Sequence, residues 1–245
     1  MAKGQAIPAD SLKSIETDRP DQTEASSLVP KGFVQIEAGW LRQVNKQEGI
    51  TTVSQLVPTI LVRYGLLPSL ELRLLVEHLS IKGKDSHAGS INGMGPVAVG
   101  TKIKIAEEQG LLPEMAFIGH LTLRTGKPEF RPAYVVPDFR FSLSHTLSEK
   151  LSLGYNVGYE WAPDKAAGQA IYTLSLAREV TDRLGAFIEV FGQKPKQENW
   201  QHQLDGGFTF QILPNLQLDT SVGLGLSSSA PDFFVGGGVS VRLPK

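Results

Sequence analysis

The chain contains no cysteine. That single absence removes disulfide scaffolds, thiolate zinc sites and cysteine nucleophiles together. An excess of one charge is also missing: 24 Lys and Arg stand against 25 Asp and Glu, a formal net charge of −1. This balance argues against a strongly basic nucleic-acid binder, and no stripe of Lys or Arg carries interleaved aromatics, so no nucleic-acid partner is expected. Long hydrophobic runs are lacking too. Ile60-Leu61-Val62 and Leu74-Leu75-Val76 fall far short of the roughly 20 apolar residues of a membrane helix. Residues Met1 to Gln5 lead straight into polar sequence, without the apolar stretch of a secretory leader. The expectation is a mature form, or a new start methionine, from which a leader has been removed.

What the chain does have is glycine, proline and alternation. It holds 245 residues, 41% hydrophobic, with 25 Gly and 15 Pro, and this length suits one undivided β domain. Residues 1–31 read as a separate irregular arm, punctuated by Pro8, Pro20 and Pro30, with no period of 2 or 3.6. From Gly32 to the end, residues 32–245, the period is two. Val34, Ile36, Ala38 and Trp40 alternate with Gln35, Glu37 and Gly39; Leu56, Ile60, Val62 and Tyr64 with Thr59 and Arg63. Leu70 to Glu77, Val97 to Lys104, Phe117 to Arg124, Asp138 to Leu143 and Leu151 to Trp161 repeat the pattern. So do Tyr172 to Leu176, Leu184 to Val190, Leu204 to Phe210, Leu216 to Leu224 and Phe233 to Arg242.

That makes about twelve segments of about ten residues, the length and dyad repeat of transmembrane β-strands. A bilayer protein without apolar helices has to be a closed barrel, because only helices and barrels satisfy every backbone group in lipid. The expected fold is therefore all-β, a transmembrane antiparallel up-and-down barrel of about 12 strands with an irregular N-terminal arm. Trp40, Tyr64, Tyr159 and Trp161 are expected at the interfacial edges of the apolar face. A soluble β-barrel that binds a ligand is the fold-level alternative, but twelve long strands enclose a lumen too wide for an apolar core. Connections alternate between short and long. Gly65 to Ser69, His145 to Lys150, Val180 to Arg183 and Leu213 to Asn215 are short; Ser80 to Pro96, Thr125 to Pro132, Trp161 to Gly168 and Gly192 to Gln203 are longer. Short periplasmic turns opposite longer outer loops, with both termini on the short side, are expected of outer-membrane barrels.

Several phrases carry a family likeness. Glu16-Thr17-Asp18-Arg19-Pro20-Asp21-Gln22-Thr23-Glu24, followed by Val29 to Glu37, resembles the opening of the Putative MetA-pathway of phenol degradation family. Arg63-Tyr64-Gly65-Leu66, Glu71-Leu72-Arg73, Leu151 to Gly158 and Phe187 to Gly192 are similar to its later parts. The resemblance covers nearly the whole chain. It implies an outer-membrane barrel of the kind often labelled a transporter, with uptake of hydrophobic substrates as the associated role and no phenol specificity carried over. The barrel reading itself implies outer-membrane lipid and the outer-membrane assembly machinery as partners. The chain departs from the usual terminal aromatic of such barrels, ending Val241-Arg242-Leu243-Pro244-Lys245.

The face opposite the apolar one carries Glu37, Arg63, Glu71, Arg73, Glu77, Lys102, Lys104, Arg124, Arg140, Asn156, Glu160, Glu189, Asp205, Asp219 and Arg242. These residues are expected to line the lumen. Either they form the wall of a polar conduit, where charge position sets solute preference, or they form a neutralising network that closes a narrow interior. The arm offers Glu16, Asp18, Arg19, Asp21 and Glu24, a candidate plug paired with Arg63, Arg73 or Arg140, or a solvated tail. Three carboxylates within a few residues of one another suggest a cation site, but the required loop spacing is absent, so no metal and no cofactor are expected. The histidines are His78, His87, His120, His145 and His202. Ser144-His145 is the nearest approach to a hydrolase pair, and strand neighbours point to opposite faces. Gly236-Gly237-Gly238 precedes no helix and reads as strand bending or close backbone contact. The function expected is an outer-membrane channel or transporter for small solutes, hydrophobic or aromatic ones among them. The alternatives are a plugged, non-conducting barrel and an outer-membrane lipid hydrolase.

Overall fold

The computed structural model describes residues 14–47, 49–83, 89–163, 168–196 and 198–244. Within them lie thirteen strands: β1 (Val34–Gln47), β2 (Ile50–Leu67), β3 (Leu70–Gly83), β4 (Ile91–Met94), β5 (Ala98–Ala106), β6 (Glu114–Thr122) and β7 (Val136–Ser148). They continue as β8 (Leu151–Glu160), β9 (Gln169–Glu179), β10 (Leu184–Pro195), β11 (Gln201–Leu213), β12 (Leu216–Gly225) and β13 (Phe233–Leu243). Twelve of them, all but β4, form one antiparallel ring. The ring closes where β1 meets β13, in register from Val34 opposite Leu243 to Val44 opposite Phe233. Short β4 pairs only with the far end of β3. Sequence periodicity does not reveal it, because four residues are too few for a pattern.

Alternation sorts the side chains as a membrane barrel requires and a soluble protein does not. Ile188, Phe208 and Val222 point outward and are 54–56% exposed, whereas Arg63, Glu71 and Lys102 point inward and are wholly buried. An outward apolar band around a polar interior is stable only against lipid, since water would leave that band unburied. Among the described residues no helix is long and apolar enough to cross a membrane; the strands do the crossing.

Short turns and loops divide the two ends. Two-residue turns at Pro68-Ser69, Glu149-Lys150 and Pro214-Asn215 mark one end, together with 180–183 and 107–113. The strands beside them run further than their alternation suggests, so His145 to Ser148 belong to β7. At the loop end, β1 and β2 are joined by residues 48–49 alone, and Gly49 takes a φ of 80°, which a residue without Cβ adopts freely. Portions of the longer loops, including His87, lie outside the described residues, as do Pro8 and the rest of 1–13.

Three local assignments are corrected by the structure. Alternation puts Leu56 on the apolar face with Ile60, but the register shifts between Leu56 and Thr59. Leu56 pairs with Leu41, a lumen residue, because the bulge at Val57-Pro58 changes phase; proline in a strand sits at such irregularities. Trp40 is not at an edge. It lies at mid-height opposite Gly237, where its indole covers the missing side chain. Arg124 lies beyond the end of β6 and is exposed, so it does not line the lumen; Leu123 and Arg124 follow the last ladder pair of that strand. Tyr64, Tyr159 and Trp161 do lie toward strand ends on the outer face, and the ring centroids of Tyr159 and Trp161 are 4.8 Å apart.

Candidate functional site

The interior is occupied by the chain's own N-terminal arm. It enters at the short-turn end, where Ile15 N–H donates to Pro214 O at 2.8 Å. It then travels around the wall. Gln217 on β12 donates to Thr17 at 2.8 Å, and Arg19 grips Asp219 on the same strand through two bonds, at 2.9 and 3.3 Å. Gln22 N–H reaches Glu189 on β10 at 2.7 Å, and Thr23 shares a 2.6 Å bond with Thr173 on β9. Glu24 N–H donates to Asn156 on β8 at 2.7 Å, and Ser142 on β7 donates to Glu24 O. Ser26 donates to Glu114 on β6 at 2.8 Å, and Val29 N–H to Glu71 on β3 at 2.9 Å. The arm thus circles the lumen against falling strand number before it becomes β1.

Asp18 sits at the centre of this circle. Its carboxylate meets Arg73 at 2.6 Å, Lys102 at 2.9 Å and Arg63 at 3.3 Å, and it accepts from Ala25 N–H at 3.0 Å. Arg63 also pairs with Glu37 at 2.9 Å and Glu71 at 2.8 Å, and Arg73 with Glu24 at 2.5 Å. The cluster sets three cations, Arg63, Arg73 and Lys102, against four carboxylates. Two of those, Glu37 and Glu71, come from the wall; the other two, Asp18 and Glu24, come from the arm. Without the arm the same wall would hold three cations and two anions. A buried charge is tolerated only when paired and hydrogen-bonded, so the wall and the arm are electrostatic complements.

Backbone shape assists. Gly39 on β1 and Gly238 on β13 lie directly opposite each other across the closing seam. A Cβ on either would collide with the Arg19 guanidinium, so the glycines make the floor on which that side chain rests. Gly65 likewise leaves room for the Val29 and Pro30 carbonyls. The glycines of β13 therefore serve close approach, to the arm as well as to neighbouring strands.

Of the expected inward residues, Glu37, Arg63, Glu71, Arg73, Lys102, Asn156, Glu189, Asp205, Asp219 and Arg242 are buried. Arg140 pairs with Glu160 at 2.8 Å and, among the described residues, with no arm carboxylate at ion-pair distance. Lys104 lies at the turn end beside Glu107 and Glu114, and Glu77 lies on β3 toward the loop end. Glu16 is exposed on the arm, near Arg242, and Asp21 faces Glu189. Alternation by residue type misses several inward groups. Ile118 and Ala116 are fully buried opposite Lys102 and Lys104, and Phe191 and Phe234 stack edge-on at 6.2 Å inside the loop-end half. Those two rings, with Leu41, Gln43, Gln193 and Gln203, bound a cavity of about 320 Å³ whose floor includes Gln22 of the arm.

Ser144 and His145 do not form a catalytic pair. Ser144 faces inward to Ser26 at 2.7 Å, and His145 faces outward to Tyr155. His120 is held between Arg73 at 3.0 Å and Asp138 at 3.1 Å, with no serine in the set. Among the described residues no group of acids and histidines forms a ready metal cage.

A closed twelve-strand ring, apolar outside and polar within, defines an outer-membrane type β-barrel whose lumen is filled by its own N-terminal arm. The family model for Putative MetA-pathway of phenol degradation matches residues 17–243; the chain belongs to that family. No curated protein matches the sequence significantly. Among solved structures it is similar to an outer membrane channel from Pseudomonas putida F1, with a TM-score of 0.71 at 14% identity, covering 89% of this chain and 98% of that one. It is also similar to the NanC porin, with a TM-score of 0.54 at 9% identity over 86% of this chain and 100% of the other. The translocator domain of the autotransporter NalP from Neisseria meningitidis gives 0.53 at 9% identity, covering 88% and 90%. At these identities the likeness is one of fold.

Proposed function

We propose that the chain is an outer-membrane channel for small solutes, throttled at mid-height by its N-terminal arm. The observation that carries this reading is the asymmetric filling of the lumen. The arm occupies the turn-end half and centre through polar contacts, while the loop-end half keeps a cavity lined by both apolar and amide side chains. Such mixed walls suit small molecules with an apolar body and a polar group. Hydrophobic or aromatic solutes fall in this class. Polar anchoring, as opposed to a packed apolar core, is what a removable obstruction requires, because water can replace hydrogen bonds one by one.

A second reading is a plugged, non-conducting barrel, favoured by the density of buried ion pairs around Asp18. One experiment separates the two. Deleting residues 1–28 should leave the ring folded, since β1 begins at Val34, and should raise single-channel conductance and solute influx into liposomes. A folded deletion protein with traces matching the full chain would remove the arm from any role in permeation. If neither protein conducts, the non-conducting reading stands and the channel reading falls.

A further inference from the structure

One inward row of side chains runs level around five strands. Arg73 on β3 lies opposite Gly100 on β5, Gly100 opposite His120 on β6, His120 opposite Asp138 on β7, and Asp138 opposite Glu160 on β8. Gly100 is the gap in that row. A Cβ there would collide with the His120 ring, and without one the Arg73 side chain reaches across β5 to touch it. The bonds fix where the protons are. A guanidinium only donates. Arg73 Nε–H points at His120 Nε2 at 3.0 Å, so Nε2 carries no proton. The other ring nitrogen, Nδ1, stands 3.1 Å from Asp138 Oδ1. An ionised carboxylate only accepts, so Nδ1 carries the proton. His120 is held as the neutral ring, one nitrogen donating and one accepting.

The rest of the Arg73 fork serves the arm. Nη1 meets Asp18 at 2.6 Å and Glu71 at 3.1 Å, and Nη2 meets Glu24 at 2.5 Å. A second proton on the ring can go only to Nε2. It would set N–H against N–H and place a positive ring 3.0 Å from a positive guanidinium, and such like charges repel strongly away from bulk water. The groups around the ring decide which partner yields. Asp138 on β7 attracts the imidazolium and keeps it, with Arg140 on the same strand behind that carboxylate. Gly100 on β5 brings no charge. Arg73 comes from β3, and Glu71 on that strand and Asp18 and Glu24 on the arm reach the ring only through Arg73. The ring is short and anchored, whereas Arg73 is long and flexible. Arg73 therefore gives way, and its grip on Asp18 and Glu24 loosens with it.

We propose that His120 is a proton-operated catch on the N-terminal arm: neutral, it steadies Arg73 against Asp18 and Glu24, and protonated, it pushes Arg73 off and frees the arm. Imidazole is the side chain that changes charge between about pH 5 and 8, so the catch holds above that window and opens in mild acid. The device depends on the arm lying in the lumen and not on whether the barrel conducts, so its test reads the arm directly.

The chain has no cysteine, so Gln22→Cys accepts a nitroxide label at one place only, on the arm and beside the loop-end cavity. The full-length labelled protein in lipid vesicles is followed by electron paramagnetic resonance at about pH 8 and about pH 5. With His120 present, the spectrum should be immobilised at the higher pH and should gain a mobile component at the lower one. His120→Gln keeps an acceptor for Arg73 that does not titrate, and its spectrum should stay immobilised at both. Should His120→Gln not fold, Asp138→Asn takes its place. It removes the anion that retains the imidazolium and should move the mobile component to lower pH. Two results overturn the proposal. One is a spectrum with His120 present that is the same at both pH values. The other is an acid response unaltered by substitution at His120 or Asp138, which would pass the role to the buried carboxyls of Asp21, Glu189 and Asp205.

Discussion

Replacing Asp18 with asparagine removes one negative charge and almost no volume from the centre of the barrel. Three cations, at 2.6, 2.9 and 3.3 Å, lose part of their compensation at once. Removing one partner of a buried ion pair typically costs about 3–5 kcal/mol. The asparagine oxygen still accepts one bond, and Glu37, Glu71 and Glu24 remain, so the lower end applies and about 3 kcal/mol is expected. The measurement is denaturant unfolding of the barrel in lipid vesicles, followed by the mobility difference between boiled and unboiled samples on gels. Lys102→Met, alone and combined with Asp18→Asn, completes a double-mutant cycle, and the coupling should reach about 1–3 kcal/mol. Additive costs within about 0.5 kcal/mol would mean that Asp18 and Lys102 do not sense each other. An Asp18→Asn barrel as stable as the wild type would refute the claim that the arm completes the wall's charge.

Leu174→Arg, mid-strand on the outer face, should cost about 2–4 kcal/mol in bilayers, whereas Gln193→Arg, on the inner face beside the cavity, should cost well under half of that; the reverse order in vesicle unfolding would invert the faces. Gly238→Val should evict the Arg19 guanidinium and raise conductance in single-channel recordings while leaving the gel shift of the folded ring intact; unchanged conductance would separate Arg19 from permeation. Asn156→Arg should cost more than its polar, inward position suggests, because Asn156 exchanges two hydrogen bonds with the Glu24 backbone; vesicle unfolding no less stable than that of Gln193→Arg would show those bonds to be dispensable. Tryptic release of the arm should be faster in Asp18→Asn than in the wild type, and equal rates would show that other contacts hold it.

The faces of the strands are legible in the sequence because lipid demands one thing and the lumen another. Gln35 and Glu37 against Val34 and Ile36 can be sorted by period alone. The bulge at Val57-Pro58 defeats that rule, since a shift of one residue in phase reverses every assignment beyond it, and Leu56 falls on the wrong face for that reason. Ile118, Phe191 and Phe234 are hidden for a different reason: inside a partly filled barrel an apolar side chain can pack against a neighbour as readily as outside. Of the arm's partners, Arg63 and Arg73 are legible from their inward faces and opposite charge, but the strand that receives Arg19 is not. Arg19 and Asp219 are 200 residues apart, and nothing local in either segment encodes that distance. The clue that is present is compositional: Glu16 to Glu24 holds four carboxylates and one arginine in a segment with no apolar face of its own, which suits a polar interior lined by cations.

Arg19 also has a consequence for how the ring is completed. Its guanidinium bonds to β12 and rests across the glycines of β1 and β13, the first and last strands to emerge from the chain. A barrel that has not yet joined its ends offers no such seat. The residue is a keystone: it can settle only after the final hairpin has arrived, so the contact that narrows the passage also registers that the wall is whole.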